Sequence, residues 1–149
     1  MPDEERVLGP DHPDTLTTRN NLASWTGRCG DAAGALRMFI ALLPDRERVL
    51  GPDHPNTLRT RSNIASWTSE CGDAAGGLRL AAALLLDLER VLGLDHPDTL
   101  NDRNNIAVWT GRCGDAAGAL RLFIALLPDR ERVLGPDHPD TLEQPRVLD

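Results

Sequence analysis

Apolar and polar positions in residues 11–50 sort into two stretches with helical spacing. In the first, Leu16, Leu22, Ala23 and Trp25 mark an apolar stripe, and Thr17, Asn20, Asn21 and Ser24 mark a polar face. That arrangement predicts an amphipathic helix. Asp11 or His12 is placed to cap it. Pro13 suits the first helical position, where its missing N–H is not needed, and Asp14 complements the positive end of the helix dipole. Gly27 and Gly30 punctuate the end, with Gly30 the expected left-handed residue. Asp31 is the expected cap of a second, longer helix. Its apolar residues are Ala32, Ala35, Leu36, Phe39, Ile40, Leu42 and Leu43, continuing to Val49 and Leu50. Gly51 and Pro52 stop it. Pro44 falls inside this stretch, where a proline costs about 3 kcal/mol. The helix either kinks there or ends and restarts.

The whole pattern returns. Gly9-Pro10-Asp11-His12-Pro13 recurs from Gly51, from Gly93 (with Leu94 for Pro10) and from Gly135, a step of 42 residues each time. A fixed period of this size predicts stacked structural repeats. The expected fold is all-α: a right-handed α-solenoid of stacked antiparallel helix pairs. One array covers residues 1–149, divided into a partial preceding repeat (1–8), three full repeats (9–50, 51–92 and 93–134) and a partial repeat (135–149). The middle repeat departs most. Gly76-Gly77 replaces Gly34-Ala35, and Ala81-Ala82 replaces Phe39-Ile40. A mid-helix glycine costs about 0.5–1 kcal/mol, and an unfilled Phe→Ala change about 3–5 kcal/mol. Leu80, Leu84 and Leu88 are placed to refill part of that space, and this repeat is expected to be the weakest. Pro128 repeats Pro44, whereas Leu86 replaces it in the second unit, predicting a straighter helix there. Residues 137–142 begin a further first helix that Pro145 cuts short. With no polar capping helix, the last helix keeps an uncovered apolar face from Ala119 to Leu127. That face predicts self-association, docking on a partner, or membership of a longer array.

Charge narrows the function. The net charge is −7, and all 16 basic residues are arginine, spread with the repeat as at Arg19, Arg61 and Arg103. Nucleic acid needs a basic surface and aromatic stacking platforms; aromatics here are 3% and tyrosine is absent. No secretory leader is visible at Met1-Pro2-Asp3-Glu4-Glu5, and no apolar run reaches the roughly 20 residues that span a bilayer. Cys29, Cys71 and Cys113 recur once per repeat, too far apart for a disulfide or a shared metal. They read as half-buried small residues in a reducing cytoplasm.

Candidate chemistry is sparse. The pairs Asp11-His12, Asp53-His54, Asp95-His96 and Asp137-His138 carry an acid next to an imidazole. Neighbours on a loop rarely orient each other as catalysis requires, and no Ser or Cys nucleophile stands outside the repeat. They read as a helix-start turn made four times. One histidine per repeat cannot converge on a metal. Gly-Asp-Ala-Ala-Gly lacks the lysine and the strand of a phosphate loop. No enzyme activity, metal or cofactor is expected.

Asn20-Asn21-Leu22-Ala23, Gly30, Ala35 and Phe39, repeated as Asn104-Asn105-Ile106-Ala107, Gly114, Ala119 and Phe123, resemble the tetratricopeptide repeat over nearly the whole chain. The 42-residue period and the Val-Leu-Gly-Pro-Asp-His-Pro connector are similar to the kinesin-light-chain-like subclass abundant in bacteria. The chain departs from that pattern at Thr26, Thr68 and Thr110, where the family has an aromatic and this chain has Trp25, Trp67 and Trp109 one position earlier. It departs also at Arg19, Arg61 and Arg103, usually apolar. The resemblance implies a concave groove lined by the first helices. There Asn21, Asn63 and Asn105 would hold the backbone of an extended peptide. A carboxamide both donates and accepts, so it reads backbone whatever the peptide's sequence. Specificity would come from Thr17, Arg59 and Asn101, from Asn20, Ser62 and Asn104, from Ser24, Ser66 and Val108, and from Arg28, Glu70 and Arg112. Alternatively the three asparagines bond across neighbouring helices. The absence of lysine weighs against a clamp for a partner's terminal carboxylate. The expectation is a non-enzymatic, cytoplasmic scaffold for a protein or extended peptide. The alternative is a regulatory or self-assembly segment of a larger bacterial signalling protein, associating through the uncapped C-terminal helix.

Overall fold

A computed structural model describes residues 7–135. The expectations for residues 1–6, for the start of a helix at 137–142 and for Pro145 lie outside them. Six helices lie wholly among the described residues: α1 (Pro13–Arg28), α2 (Ala32–Leu50), α3 (Pro55–Glu70), α4 (Ala74–Val91), α5 (Pro97–Arg112) and α6 (Ala116–Leu134). The described residues contain no strand, and the chain is all-α. The helices form two compact units, divided between Asp73 and Ala74. In the first, α1 packs on α2 and α2 on α3; in the second, α4 packs on α5 and α5 on α6.

The caps decide between the two residues that the sequence left open. His12, not Asp11, caps α1: the Asp14 N–H donates to its Nδ1 across 3.1 Å. His54 and His96 receive Asn56 and Asp98 N–H in the same way, both at 3.0 Å. Each imidazole accepts, so it satisfies a donor that the helix start leaves open. Asp31 and Asp115 cap α2 and α6 by accepting from Gly34 and Gly118 N–H at 2.8 Å. At Gly30, Gly72 and Gly114 the chain turns with φ near +95 to +99°, a conformation that strains any residue with a Cβ. The three cysteines stand just before these glycines, past the last helical turn. They are exposed and unpaired, where half-burial was expected.

Pro44 and Pro128 neither end nor restart a helix; α2 and α6 run through them. Pro44 lies on the exposed side, and the carbonyl it deprives of a partner belongs to Ile40, also an exposed residue. Ile40 therefore leaves the core it was assigned to.

In the first unit the core is Leu16, Ala23, Phe39, Leu42 and Ile64, flanked by Leu36, Leu43, Val49 and Trp67. In the second, Ala81 is fully buried at the position of Phe39, and Leu84 and Leu88 are buried beside it in α4, while Leu80 is exposed. Of the three leucines expected to refill the space left by phenylalanine, two are therefore in the core.

Candidate peptide-binding face

The polar stripe of the first helices rises from helical spacing alone: Thr17, Asn21, Ser24 and Arg28 are one turn apart on α1. Thr17, Asn21 and Arg28 are exposed and Ser24 is half-buried. On α3, Arg59 and Glu70 are exposed and Asn63 and Ser66 half-buried; on α5, Asn101 and Arg112 are exposed and Asn105 and Val108 half-buried. Asn20, Ser62 and Asn104 are half-buried throughout. Asn21 and Asn63 belong to one unit, Asn105 to the other.

The two asparagines of the doublet have different surroundings. Asn20 Oδ1 accepts from Arg46 across 3.3 Å, and the same guanidinium donates to Asn56 O (3.1 Å) and Thr60 Oγ1 (2.9 Å). Arg46 is only 4% exposed and ties α1, α2 and α3 together through neutral acceptors. Burial, with Arg19 and Arg59 near it, lowers its pKa. In the second unit Arg130, equally buried, donates to Asn101 Oδ1 at 3.2 Å. Asn101, a candidate for specificity, is thus also a packing residue. The amides of Asn21, Asn63 and Asn105 have no hydrogen bond among the described residues.

Each unit also carries a chain of ion pairs. Arg19 meets Asp45 at 2.7 Å, Asp45 meets Arg48 at 3.1 Å, and Arg48 grips Asp11 with two bonds of 2.9 and 2.8 Å. Arg103, Asp129, Arg132 and Asp95 repeat it in the second unit. The guanidinium bonds hold Asp11, Asp45, Asp95 and Asp129 below the usual carboxylate range, and raise Arg48 and Arg132. Arg19 and Arg103, which depart from the family's apolar preference, are therefore spent on α2 and α6. Asp11 and His12 act apart, one as an ion-pair partner and one as a cap. A cavity of about 260 Å³ in the second unit is lined by Asp95, Arg103, Asp129 and Arg132, whose charges satisfy one another. Among the described residues no group of His, Cys, Asp or Glu could hold a metal ion.

Sequence reasoning missed four buried polar positions, two of them at Thr60 with Asp102 and at Ser69. Thr15, Thr57 and Thr99 are fully buried; the hydroxyls of Thr15 and Thr99 donate to Gly9 O (2.9 Å) and Gly93 O (2.8 Å). Arg46 and Arg130 are the fourth. Their equivalent in the middle repeat is Leu88, and that exchange of arginine for leucine was the available sign of burial.

The profile of the tetratricopeptide repeat matches residues 15–56, 57–98 and 99–140. The chain belongs to the tetratricopeptide repeat family. Among solved structures it is similar to a Podosopora anserina kinesin-light-chain-type protein of nearly identical TPR-like repeats. The TM-score is 0.77 at 20% identity, over 88% of this chain and 62% of that one. It is similar also to BtubC (BKLC) from P. vanneervenii, with a TM-score of 0.72 at 15% identity over 89% of this chain and 49% of that one. This chain spans less than two thirds of either, and the likeness is one of fold: an α-solenoid of helix pairs. Comparison with the curated proteins gives no significant match. Tetratricopeptide repeats are in general protein-interaction scaffolds. Among the described residues no helix is long and apolar enough to cross a membrane.

Proposed function

We propose that this tetratricopeptide protein is a non-enzymatic scaffold that takes an extended peptide of a partner protein on the polar face of its first helices. The observation that carries the reading is the contrast within Asn20-Asn21. Arg46 engages the oxygen of the first amide, while the amides of Asn21, and its equivalents Asn63 and Asn105, have no hydrogen bond among the described residues. An unpaired amide on a partly covered face gains most from a peptide backbone, which offers it a carbonyl and an N–H at once. Thr17, Ser24 and Arg28 on α1, with Arg59, Ser66 and Glu70 on α3, would grade the peptide's side chains. Three exposed thiols support a reducing compartment, the cytoplasm, since exposed cysteines persist unpaired there.

The test is selection of binders from a library of extended peptides on the wild-type chain, followed by titration of the Asn21→Ala, Asn63→Ala and Asn105→Ala variants. Each substitution should weaken a selected peptide by about tenfold, as the loss of a peptide hydrogen bond does. Peptides that bind the triple variant as well as the wild type would overturn the assignment.

A further inference from the structure

The joint between the first helix pair and α3 has two parts. From α3, Ile64 (8% exposed) and the indole of Trp67 enter the core of α1 and α2. Gly27 on α1 takes the indole: a Cβ there would overlap its six-membered ring. Phe39 of α2 is fully buried in that core, and Leu36 and Leu43 pack against it as Trp67 does; with Gly27 these three make up the seat.

Each part recurs elsewhere without its counterpart. The residues of α1 equivalent to Ile64 and Trp67 are Leu22 and Trp25, and they are 47% and 61% exposed. The Arg28 guanidinium lies over the Trp25 ring, 4.9 Å from its centroid. At the other end of the described chain, Gly111, Leu120, Phe123 and Leu127 reproduce Gly27, Leu36, Phe39 and Leu43 residue for residue. Leu120 is 50% exposed, Phe123 and Gly111 are half-exposed, and a Cβ on Gly111 would meet only Ala119 among the described residues. The middle repeat does not carry this seat; it has Ser69, Leu78, Ala81 and Leu85. Residues 136–149 contain no tryptophan.

We propose that a second copy of this chain docks head to tail, setting its Leu22 and Trp25 on Gly111, Leu120, Phe123 and Leu127. The contact continues the joint already made inside the first unit. It is heterologous: each copy uses a knob at one end and a seat at the other, so association passes beyond the dimer into a ring or a filament. A buried tryptophan in a pocket that fits it is the kind of anchor that dominates an interface. The inference is independent of the peptide-binding reading, which uses other residues.

The test is sedimentation velocity of the full chain over a concentration series, with Trp25→Ala and Gly111→Ala beside it. Trp25 is exposed, and among the described residues a Cβ on Gly111 would press only on the Ala119 methyl, at 3.3 Å, so both variants should keep the wild-type circular dichroism. The wild-type sedimentation coefficient should rise with concentration. Each variant should stay monomeric, its association constant lowered by more than about tenfold. Mixed in equal amounts, the variants should give a one-to-one dimer and nothing larger, because the mixture holds one intact knob and one intact seat. A wild-type chain that stays monomeric would overturn the proposal. So would a Trp25→Ala variant that assembles like the wild type, which would assign the α6 face to a sideways dimer. A dimer absent from the mixture would overturn it as well.

Discussion

Arg19 on α1 donates to Asp45 on α2 across 2.7 Å, and Arg103 does the same to Asp129 across 2.6 Å. These pairs fasten the two helices of a repeat at their polar edge. The Arg19 hydrogen bond is the largest cause of the lowered Asp45 pKa, with Arg48 adding to it. A carboxylate whose folded value is depressed stabilises the fold fully above its unfolded value. The contribution is lost as pH falls from the ordinary 3.8 through the lower folded value. Thermal melts should therefore show a loss of stability below about pH 4. Asp45→Asn should flatten part of that acid limb and cost about 0.5–1 kcal/mol at neutral pH.

The histidine caps give a second prediction. His54 Nδ1 accepts from Asn56 N–H, so His54→Ala should destabilise the chain by about 1 kcal/mol in urea unfolding. His54→Asn should restore most of it, because asparagine caps through the same donor. An alanine variant of wild-type stability would mean that the Asp-His-Pro turn is held otherwise.

One substitution should have opposite signs at two equivalent glycines. Gly27→Ala drives a methyl into the Trp67 indole and should destabilise by about 1–3 kcal/mol. Among the described residues Gly111→Ala meets only the Ala119 methyl, at 3.3 Å; at low protein concentration the gain in helix propensity, up to about 1 kcal/mol, should outweigh the shift of a few tenths of an ångström that Ala119 must make. In a double-mutant cycle, Trp67→Ala should cancel most of the Gly27→Ala penalty.

Pro44 is exposed inside a continuous helix, where Leu86 occupies its place in α4. Pro44→Ala should raise stability by about 1–3 kcal/mol, read from the denaturation midpoint at unchanged slope.

The repeat, the helix pairs, the Asp31 cap and the left-handed Gly30 were legible because each depends on local chemistry that recurs every 42 residues. Exposure was not legible, because it depends on what stands beside a repeat. Trp25, Trp67 and Trp109 occupy one position of the pattern, yet they are 61% exposed, half-buried and 5% exposed. Thr15 hides in the core because Gly9 O takes its hydroxyl, a partner that polarity patterns do not reveal. Asn20 and Asn21 look alike in the sequence; only the reach of Arg46 separates the amide that packs from the amide that is left open.

That separation is the centre of the account, and side-chain amide NMR reads it directly. When a selected extended peptide is titrated into the isotope-labelled chain, the NH2 signals of Asn21, Asn63 and Asn105 should shift in proportion to occupancy. The Asn20 signal, held by Arg46, should move far less. Binding that leaves those three signals in place would contradict the account.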